Sequence, residues 1–328
     1  MSPVTLFGMR ALLLVNPTAT STNPRTRDVL LRALGAAVDL SVEETGYRGH
    51  AAKLAETATA EGFDVVVVLG GDGTINEAVN GLLREPSDTP PALIVIPGGS
   101  ANVFARALGL PNDPVEATGV ALEALRENRR RFVGLGQVVC DHDVTGGDWT
   151  GDSGRYFTFC AGVGWDAEVV RAVEGLRAAG YPATPFRYGN TAVRHYFLTD
   201  RRRPALRLER PGQAPDDGLF LTIVSNTAPW TYAGSIPINP TPWATFGTGL
   251  DLLGLKRLGL PTISRVVPQI LGERDTLLRG RHLVQAHDEQ EFTLVATRPI
   301  AFELDGDYLG ERERMTFRSC PNALQMIV

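Results

Sequence analysis

Lysine is almost missing from this chain of 328 residues: only Lys53 and Lys256 occur, so nearly all positive charge is arginine. The skew runs along the whole chain, which reads as a habit of genome composition rather than a binding motif. Its 32 Lys+Arg stand against 37 Asp+Glu, a net charge of −5. A mildly acidic chain excludes a protein whose whole surface follows nucleic acid, and leaves room for local basic patches. Cysteine is equally scarce. Cys140, Cys160 and Cys320 are too few and too scattered for a disulfide framework, and no Cys-x-x-Cys pair offers a zinc knuckle. The expected compartment is therefore the reducing cytoplasm. Long apolar runs are also absent. Ala11 to Val15 is too short for a signal core, Asn16-Pro17 follows it without a small-residue cleavage pattern, and no stretch approaches bilayer length. A membrane, if met, is met from its surface.

What is present is an ordinary globular mix, 43% hydrophobic and 21% charged, at about twice a typical single-domain length. Two domains are expected. The first third alternates strand and helix signals: a strand at Arg10 to Val15, helical spacing over Arg25 to Ala37, a strand at Val38 to Glu43, a helix at His50 to Glu61, then Phe63 to Leu69 with four consecutive valines. A continuous β-branched run suits a strand covered on both faces, and the alternation implies a parallel α/β sheet. From about Val133 the texture changes to short β-rich runs, at Arg155 to Cys160, Leu219 to Ser225, Glu291 to Ala296 and Ile300 to Leu304, which suits an antiparallel β domain. Helix-like segments interrupt it near Asp166 to Leu176 and Gly189 to Phe197, and Asp141 to Gly154 reads as a loop or insertion.

Two glycine-rich loops carry the chemistry of the first half. Gly70-Gly71-Asp72-Gly73-Thr74 follows the valine strand and precedes a helical face of Ile75, Ala78, Val79, Leu82 and Leu83. A glycine turn between a parallel strand and a helix bares backbone N–H groups where the helix dipole is positive, which suits phosphate. The loop has neither the lysine of a Walker A sequence nor dinucleotide-fingerprint spacing, and Asp72 suits magnesium or an ordered water better than phosphate itself. A second such unit is Pro91 to Ile96, then Pro97-Gly98-Gly99-Ser100-Ala101-Asn102, then Val103, Phe104, Ala107 and Leu108. Either loop alone could be a tight turn. Two at the carboxyl ends of successive strands would enclose one crevice.

Gly70 to Thr74 with Asn76-Glu77, and Pro97 to Asn102 with Phe104-Ala105-Arg106, resemble the catalytic domain of the diacylglycerol kinase and sphingosine kinase superfamily. NAD kinases and 6-phosphofructokinases share loops like the first; the second is more particular to the lipid kinases. The resemblance extends from Asn16-Pro17 to the closing Pro321 to Val328. It implies a Rossmann-like, NAD-kinase-like nucleotide domain at 1–133, with 319–328 returning to it, and an antiparallel β-sandwich lipid-substrate domain at 134–318. It also implies an ATP site formed by Asn16, Pro17, Thr18, Thr45, Gly70, Gly71, Asp72, Gly73, Thr74, Glu77, Gly98, Gly99, Ser100 and Asn102. Ser100 keeps the hydroxyl of the family's usual threonine, and Thr20 stands where glycine is usual.

In the second half, Asp305-Gly306-Asp307 is on sequence grounds a hairpin turn. The resembled kinases have Asp-Gly-Glu there, as base and support, so Asp305 and Asp307 are carried over as the catalytic pair beside Asp72, in a cleft between the domains. Asp216-Asp217-Gly218 reads as a surface loop and a decoy. The structural magnesium of bacterial members requires aspartates at two places, which are Thr248 and Gly134 here. That site is expected to be absent, with catalytic ATP and Mg2+ retained.

Arg187, Arg194, Arg201, Arg202 and Arg203 among Phe186, Tyr188, Tyr196 and Phe197 suit anionic headgroups, although such runs are more often solvated surface. Leu250 to Leu271 is a second amphipathic candidate. The expectation is a cytoplasmic kinase, peripheral at the inner membrane face, that moves the γ-phosphate of ATP to a lipid hydroxyl, most naturally diacylglycerol, within phospholipid biosynthesis. A homodimer stays open. The alternatives are an NAD kinase and a non-catalytic lipid-binding pseudokinase.

Overall fold

The computed structural model describes residues 8–17, 19, 24–87, 89–141, 154–178, 203–272 and 275–328. The chain divides into two units, one running to Val133 and taking in Asn322–Val328, the other Gly134–Pro321.

The first unit alternates β1 (Arg10–Val15), α1 (Pro24–Gly35), β2 (Asp39–Glu44), α2 (His50–Ala60), β3 (Val65–Gly70), α3 (Asp72–Leu82), β4 (Ala92–Pro97), α4 (Val103–Ala107) and α5 (Pro114–Glu127). β1 pairs in parallel with β2 and β3, and β3 with β4. Every residue of β3 and β4 is buried, which is why the valine run carries no alternation. Burying each such side chain stabilises the sheet by roughly 1.5–3 kcal/mol. One face packs Leu13, Val67 and Ile94 beneath Leu30 and Leu34 of α1 and Ala124 and Leu125 of α5. α2 and α3 approach so closely that a β-carbon at Gly81 would strike the carbonyl of Ala52. α5 starts at Asp113, whose Oδ1 accepts from Val115 N at 2.8 Å and Glu116 N at 3.0 Å, with Pro114 in the first turn.

The second unit is built from β5 (Arg130–Cys140), β6 (Arg155–Phe157), β7 (Cys160–Gly164), α6 (Trp165–Ala178), β8 (Leu206–Glu209), β9 (Asp216–Leu219), β10 (Leu221–Ser225), β11 (Thr231–Ala233), β12 (Ile236–Ile238), β13 (Leu250–Leu255), α7 (Leu260–Ile270), β14 (Leu283–Glu289), β15 (Glu291–Leu304) and β16 (Asp307–Ile327). Its pairings are antiparallel, in the order β14, β13, β10, β7, β15, β16. β15 pairs β8 over Thr293 to Ala296 and β7 over Phe302 to Leu304, with register shifts against β16 that bend it. The bent strands enclose Phe157, Leu208, Leu252, Phe292, Phe302 and Phe317. Strand β16 closes the chain, and its Met326 lies in parallel register with Leu93 of β4.

The strand expected over Arg155 to Cys160 is two, β6 and β7, parted at Thr158-Phe159. The runs at Glu291 to Ala296 and Ile300 to Leu304 are one strand, because Thr297 N still finds the Ala205 carbonyl across Pro299's neighbourhood. Asp216-Asp217-Gly218 is strand β9, not a loop: Asp216 meets Arg210 at 2.9 Å and Lys256 at 2.8 Å. Leu250 to Leu271 is divided into β13 and α7. Arg187, Arg194, Arg201, Arg202 and their aromatic neighbours lie outside the described residues, as do most of Asp141 to Gly154 and the helix expected over Gly189 to Phe197. Among the described residues no helix is long and apolar enough to cross a membrane.

Candidate active site

In the first unit the turns that follow β1, β3 and β4 meet. Gly70 and Pro97 are register partners, so the two glycine loops leave adjacent strands side by side. Gly98 N donates to Gly70 O at 2.8 Å. A β-carbon on Gly99 would stand 2.7 Å from Gly71 Cα, and one on Gly98 would stand 3.1 Å from Gly70 N and 3.2 Å from Ala19 Cβ. The glycines therefore let two backbones touch. Asn16 Nδ2 donates to Thr74 Oγ1 at 3.0 Å, and Ala19 N to Asn16 O, which ties the turn after β1 to the same place. Thr45, at the end of β2, donates its N–H to Val15 O. Pro17 stands in the turn after β1, Gly73 in the first turn of α3, and Ser100 is exposed in the second loop; Thr18 and Thr20 lie outside the described residues.

The polar residues of these loops organise backbone. Asp72 accepts from Val103 N and Phe104 N, both at 3.1 Å, and so holds the start of α4. Asn102, at φ 48, exchanges hydrogen bonds with Gly99 and donates to Asn112 Oδ1. Glu77 accepts from Gly49 N at 2.8 Å and Ala51 N at 3.2 Å, capping α2. The first-turn N–H groups of α3 have no partner within their own helix and, with the dipole behind them, suit an anion.

The second unit holds the acidic turn. Asp305, 5% exposed and at φ 49, accepts four hydrogen bonds: Thr158 N at 2.7 Å, Thr158 Oγ1 at 2.8 Å, Phe159 N at 3.0 Å and Cys160 N at 3.1 Å. Burial pushes its carboxyl above the usual range while these donors pull it back. Asp307 begins β16 on the far side of Gly306 and is half-buried. Its neighbour Tyr308 carries the Arg171 guanidinium 5.7 Å above its ring.

Two further acids stand here that sequence reasoning missed. Glu303, 1% exposed, accepts from Gly306 N at 2.8 Å and faces the Cys160 thiol, whose Sγ lies 3.8 Å from Oε1. Asp166, 7% exposed at the start of α6, has its Oδ2 buried with no hydrogen-bond partner among the described residues. Burial raises Asp166 to about 7. Burial first, then the Asp166 charge, holds Glu303 well above the carboxylate range. The Cys160 thiol is raised by burial and by Glu303. An acid inside the apolar run Ile300 to Leu304 was the available signal for Glu303.

The positions expected to lack structural magnesium ligands are otherwise engaged. Gly134 N donates to Phe246 O at 2.9 Å, and a β-carbon there would stand 2.7 Å from that oxygen. Thr248 Oγ1 donates to Thr245 O at 3.0 Å. The nearby Asp251 faces His287 Nδ1 at 2.8 Å and accepts from Asp288 N at 3.1 Å. Among the described residues no three His, Cys, Asp or Glu side chains are placed to share a metal ion.

Residues 10–138 match the family model described as diacylglycerol kinase catalytic domain. A Bacillus subtilis protein named diacylglycerol kinase is 28% identical over 312 residues, covering 92% of this chain and 90% of that one. A Chromohalobacter salexigens protein named probable lipid kinase YegS-like is 46% identical over 100 residues, 30% of this chain and about a third (32%) of its relative's length. A crystal structure titled as a putative diacylglycerol kinase from Bacillus anthracis superposes with TM-score 0.73 at 22% identity, covering 97% of this chain and 96% of that one, and shows the shared fold.

Proposed function

We propose that the chain, whose residues 10–138 match the diacylglycerol kinase catalytic domain, transfers the γ-phosphate of ATP to the hydroxyl of a lipid, with diacylglycerol as the acceptor. The observation that carries this reading is the contact of the Gly70 to Thr74 and Gly98 to Asn102 loops at the head of α3. Phosphoryl transfer depends on positioning and charge neutralisation, and rigid backbone donors supply both.

In this reading the head of α3 at Gly71, Gly73 and Thr74, with the Ser100 hydroxyl, receives the nucleotide's phosphates; Gly98 and Gly99, whose N–H groups are taken by Gly70 O and Asn102 Oδ1, leave room for them, and Asn16, Pro17 and Thr45 stand beside. Asp72, Glu77 and Asn102 act by holding the loops, since each is hydrogen-bonded to backbone there. Magnesium bound with the nucleotide would supply neutralisation of phosphate charge beside the Asp72 loop. Asp307 accepts the acceptor's hydroxyl proton, and Asp305 supports it by pinning the turn through four hydrogen bonds. No structural divalent ion is held through positions 134 and 248, where crowding at Gly134 and the engaged hydroxyl of Thr248 leave a hard cation without its oxygens. The place of work is the cytoplasmic surface of a membrane.

The test is γ-labelled ATP incubated with diacylglycerol in mixed micelles, with NAD, and with neither. Label in phosphatidic acid supports the proposal. Label in NADP, or lipid binding without transfer, overturns it in favour of an NAD kinase or a pseudokinase.

A further inference from the structure

Helix α7 turns one face inward and leaves another bare. Ile263, Val266 and Ile270 pack with Leu221, Ile223 and Leu255. Leu260, Ser264, Val267 and Leu271 follow one another at i, i+4, i+7 and i+11, a single line along the helix. Leu260 is 63% exposed, and Val267 and Leu271 are each 41% exposed. Pro261 and Pro268 complete a shallow depression along that line. The hairpin of β11 and β12 is fastened to the end of the helix by Asn239 N to Ile270 O and Gly272 N to Pro237 O, and it adds Ile236, 52% exposed. Single exposed apolar residues are ordinary, but three on one line of a helix, interrupted only by Ser264, with a fourth on the adjoining hairpin, are not.

The charge around this line runs against that of the chain. Among the described residues of 256–281, Lys256, Arg257, Arg265, Arg279 and Arg281 stand against Asp275 alone, in a chain of net charge −5. Arg257, Arg265, Arg279 and Arg281 are exposed and, among the described residues, meet no carboxylate; Lys256 meets Asp216. Gln269 on α7 donates to Arg279 O and accepts from Arg279 N, which keeps that arginine's segment beside the helix. An apolar line on a helix that also carries Arg265 and holds the Arg279 segment at its other flank complements an anionic bilayer surface, where the apolar side chains enter the headgroup boundary and the guanidinium groups reach for phosphate. A second copy fits poorly, because an isologous contact would set the same arginines against one another.

We propose that this face of α7 is the surface by which the chain docks on an anionic lipid bilayer. The inference rests on the lipid-acceptor reading and names the place where the protein reaches its acceptor's membrane.

The test is flotation of the full chain with vesicles of phosphatidylcholine alone or mixed in equal parts with phosphatidylglycerol, beside kinase assays in detergent micelles. The expected result is binding to the anionic vesicles that weakens with salt. Val267→Glu should lower it about tenfold, and the pair Arg265→Glu and Arg279→Glu should remove the preference for anionic lipid. Thermal stability and micellar activity should be unchanged in both variants. Binding by the variants equal to that of the parent would overturn the proposal, as would absence of binding by the parent. A dimer that Val267→Glu dissociates without affecting flotation would assign the face to a second copy instead. Vesicle binding without any micellar kinase activity would sink the proposed function and leave the docking surface standing.

Discussion

Asp166 Oδ2 and Glu303 Oε1 converge on one side of Gly162: a β-carbon there would collide with the first and stand 2.6 Å from the second. Both residues are more than nine-tenths buried, and among the described residues Asp166 Oδ2 has no hydrogen-bond partner. Two carboxylates cannot both stay charged in such a place, so the folded state favours a proton on one of them. Since Glu303 also accepts from Gly306 N, this acid pair is joined to the turn that carries Asp305 and Asp307.

The first prediction concerns pH and stability. Asp166 is raised from 3.8 to about 7, so the folded state binds the proton more tightly than the unfolded chain. The stabilisation is complete below about pH 4 and is lost as pH rises through 7. Asp166→Asn keeps the shape without the charge, and its advantage over the parent should grow across that window to about 5 °C in melting temperature at pH 8. Melting curves at pH 5, 6, 7 and 8 decide it. Parallel pH profiles for the two proteins would show that the pair does not titrate there.

The second concerns the glycine loops. Gly99→Ala places a methyl group 2.7 Å from Gly71 Cα, where backbone must move. Overpacking of this kind costs about 1–3 kcal/mol. ATP affinity measured by calorimetry should fall about tenfold or more while the unit stays folded by circular dichroism. Unchanged affinity would mean that the apposed loops do not hold the nucleotide.

The two aspartates of the acidic turn should separate. Asp305→Asn turns an amide nitrogen toward backbone donors, so it should lose stability, by about 2 kcal/mol, together with activity. Asp307→Asn should leave the melting temperature in place and reduce kcat by about 100-fold or more. Equal losses of stability in both would remove Asp307 from its role as base.

A fourth prediction addresses metal. After dialysis against EDTA and back into buffer, the chain should carry no stoichiometric divalent ion by elemental analysis, and its melting temperature should not respond to the treatment. One retained ion per chain, lost on Thr248→Ala, would contradict the reading of positions 134 and 248.

How much of this was legible in the sequence depended on range. The run Val65 to Val68 and the helical spacing of Ile75, Ala78 and Val79 describe β3 and α3 without a structure, because burial on both faces and the period of a helix are written locally. The glycine loops were legible as a pair, but their apolar contact was not. Gly99 touches Gly71 only because β3 and β4 are neighbours, and the spacing of either loop says nothing of that. Asp72 reads in the sequence as a partner for magnesium or water and Glu77 as part of the ATP site; that both also accept from the N–H groups of α4 and α2 follows from tertiary packing, which the sequence does not write. Glu303 and Asp166 lie far apart along the chain and meet only when β15 pairs with β7 at the head of α6. Asp216-Asp217-Gly218 went the other way: its turn-like composition concealed a strand whose acids are neutralised by Arg210, Lys256 and Arg207.

The central claim is that the chain is a lipid kinase with Asp307 as the proton acceptor. A single-turnover measurement tests it most directly: γ-labelled ATP, excess enzyme and diacylglycerol in micelles, with the parent and Asp307→Asn followed side by side. The account predicts label appearing in phosphatidic acid with the parent and transfer slowed about 100-fold or more in the variant at equal ATP binding. Transfer at the parent's rate in Asp307→Asn, or no label in lipid with either protein, would contradict it.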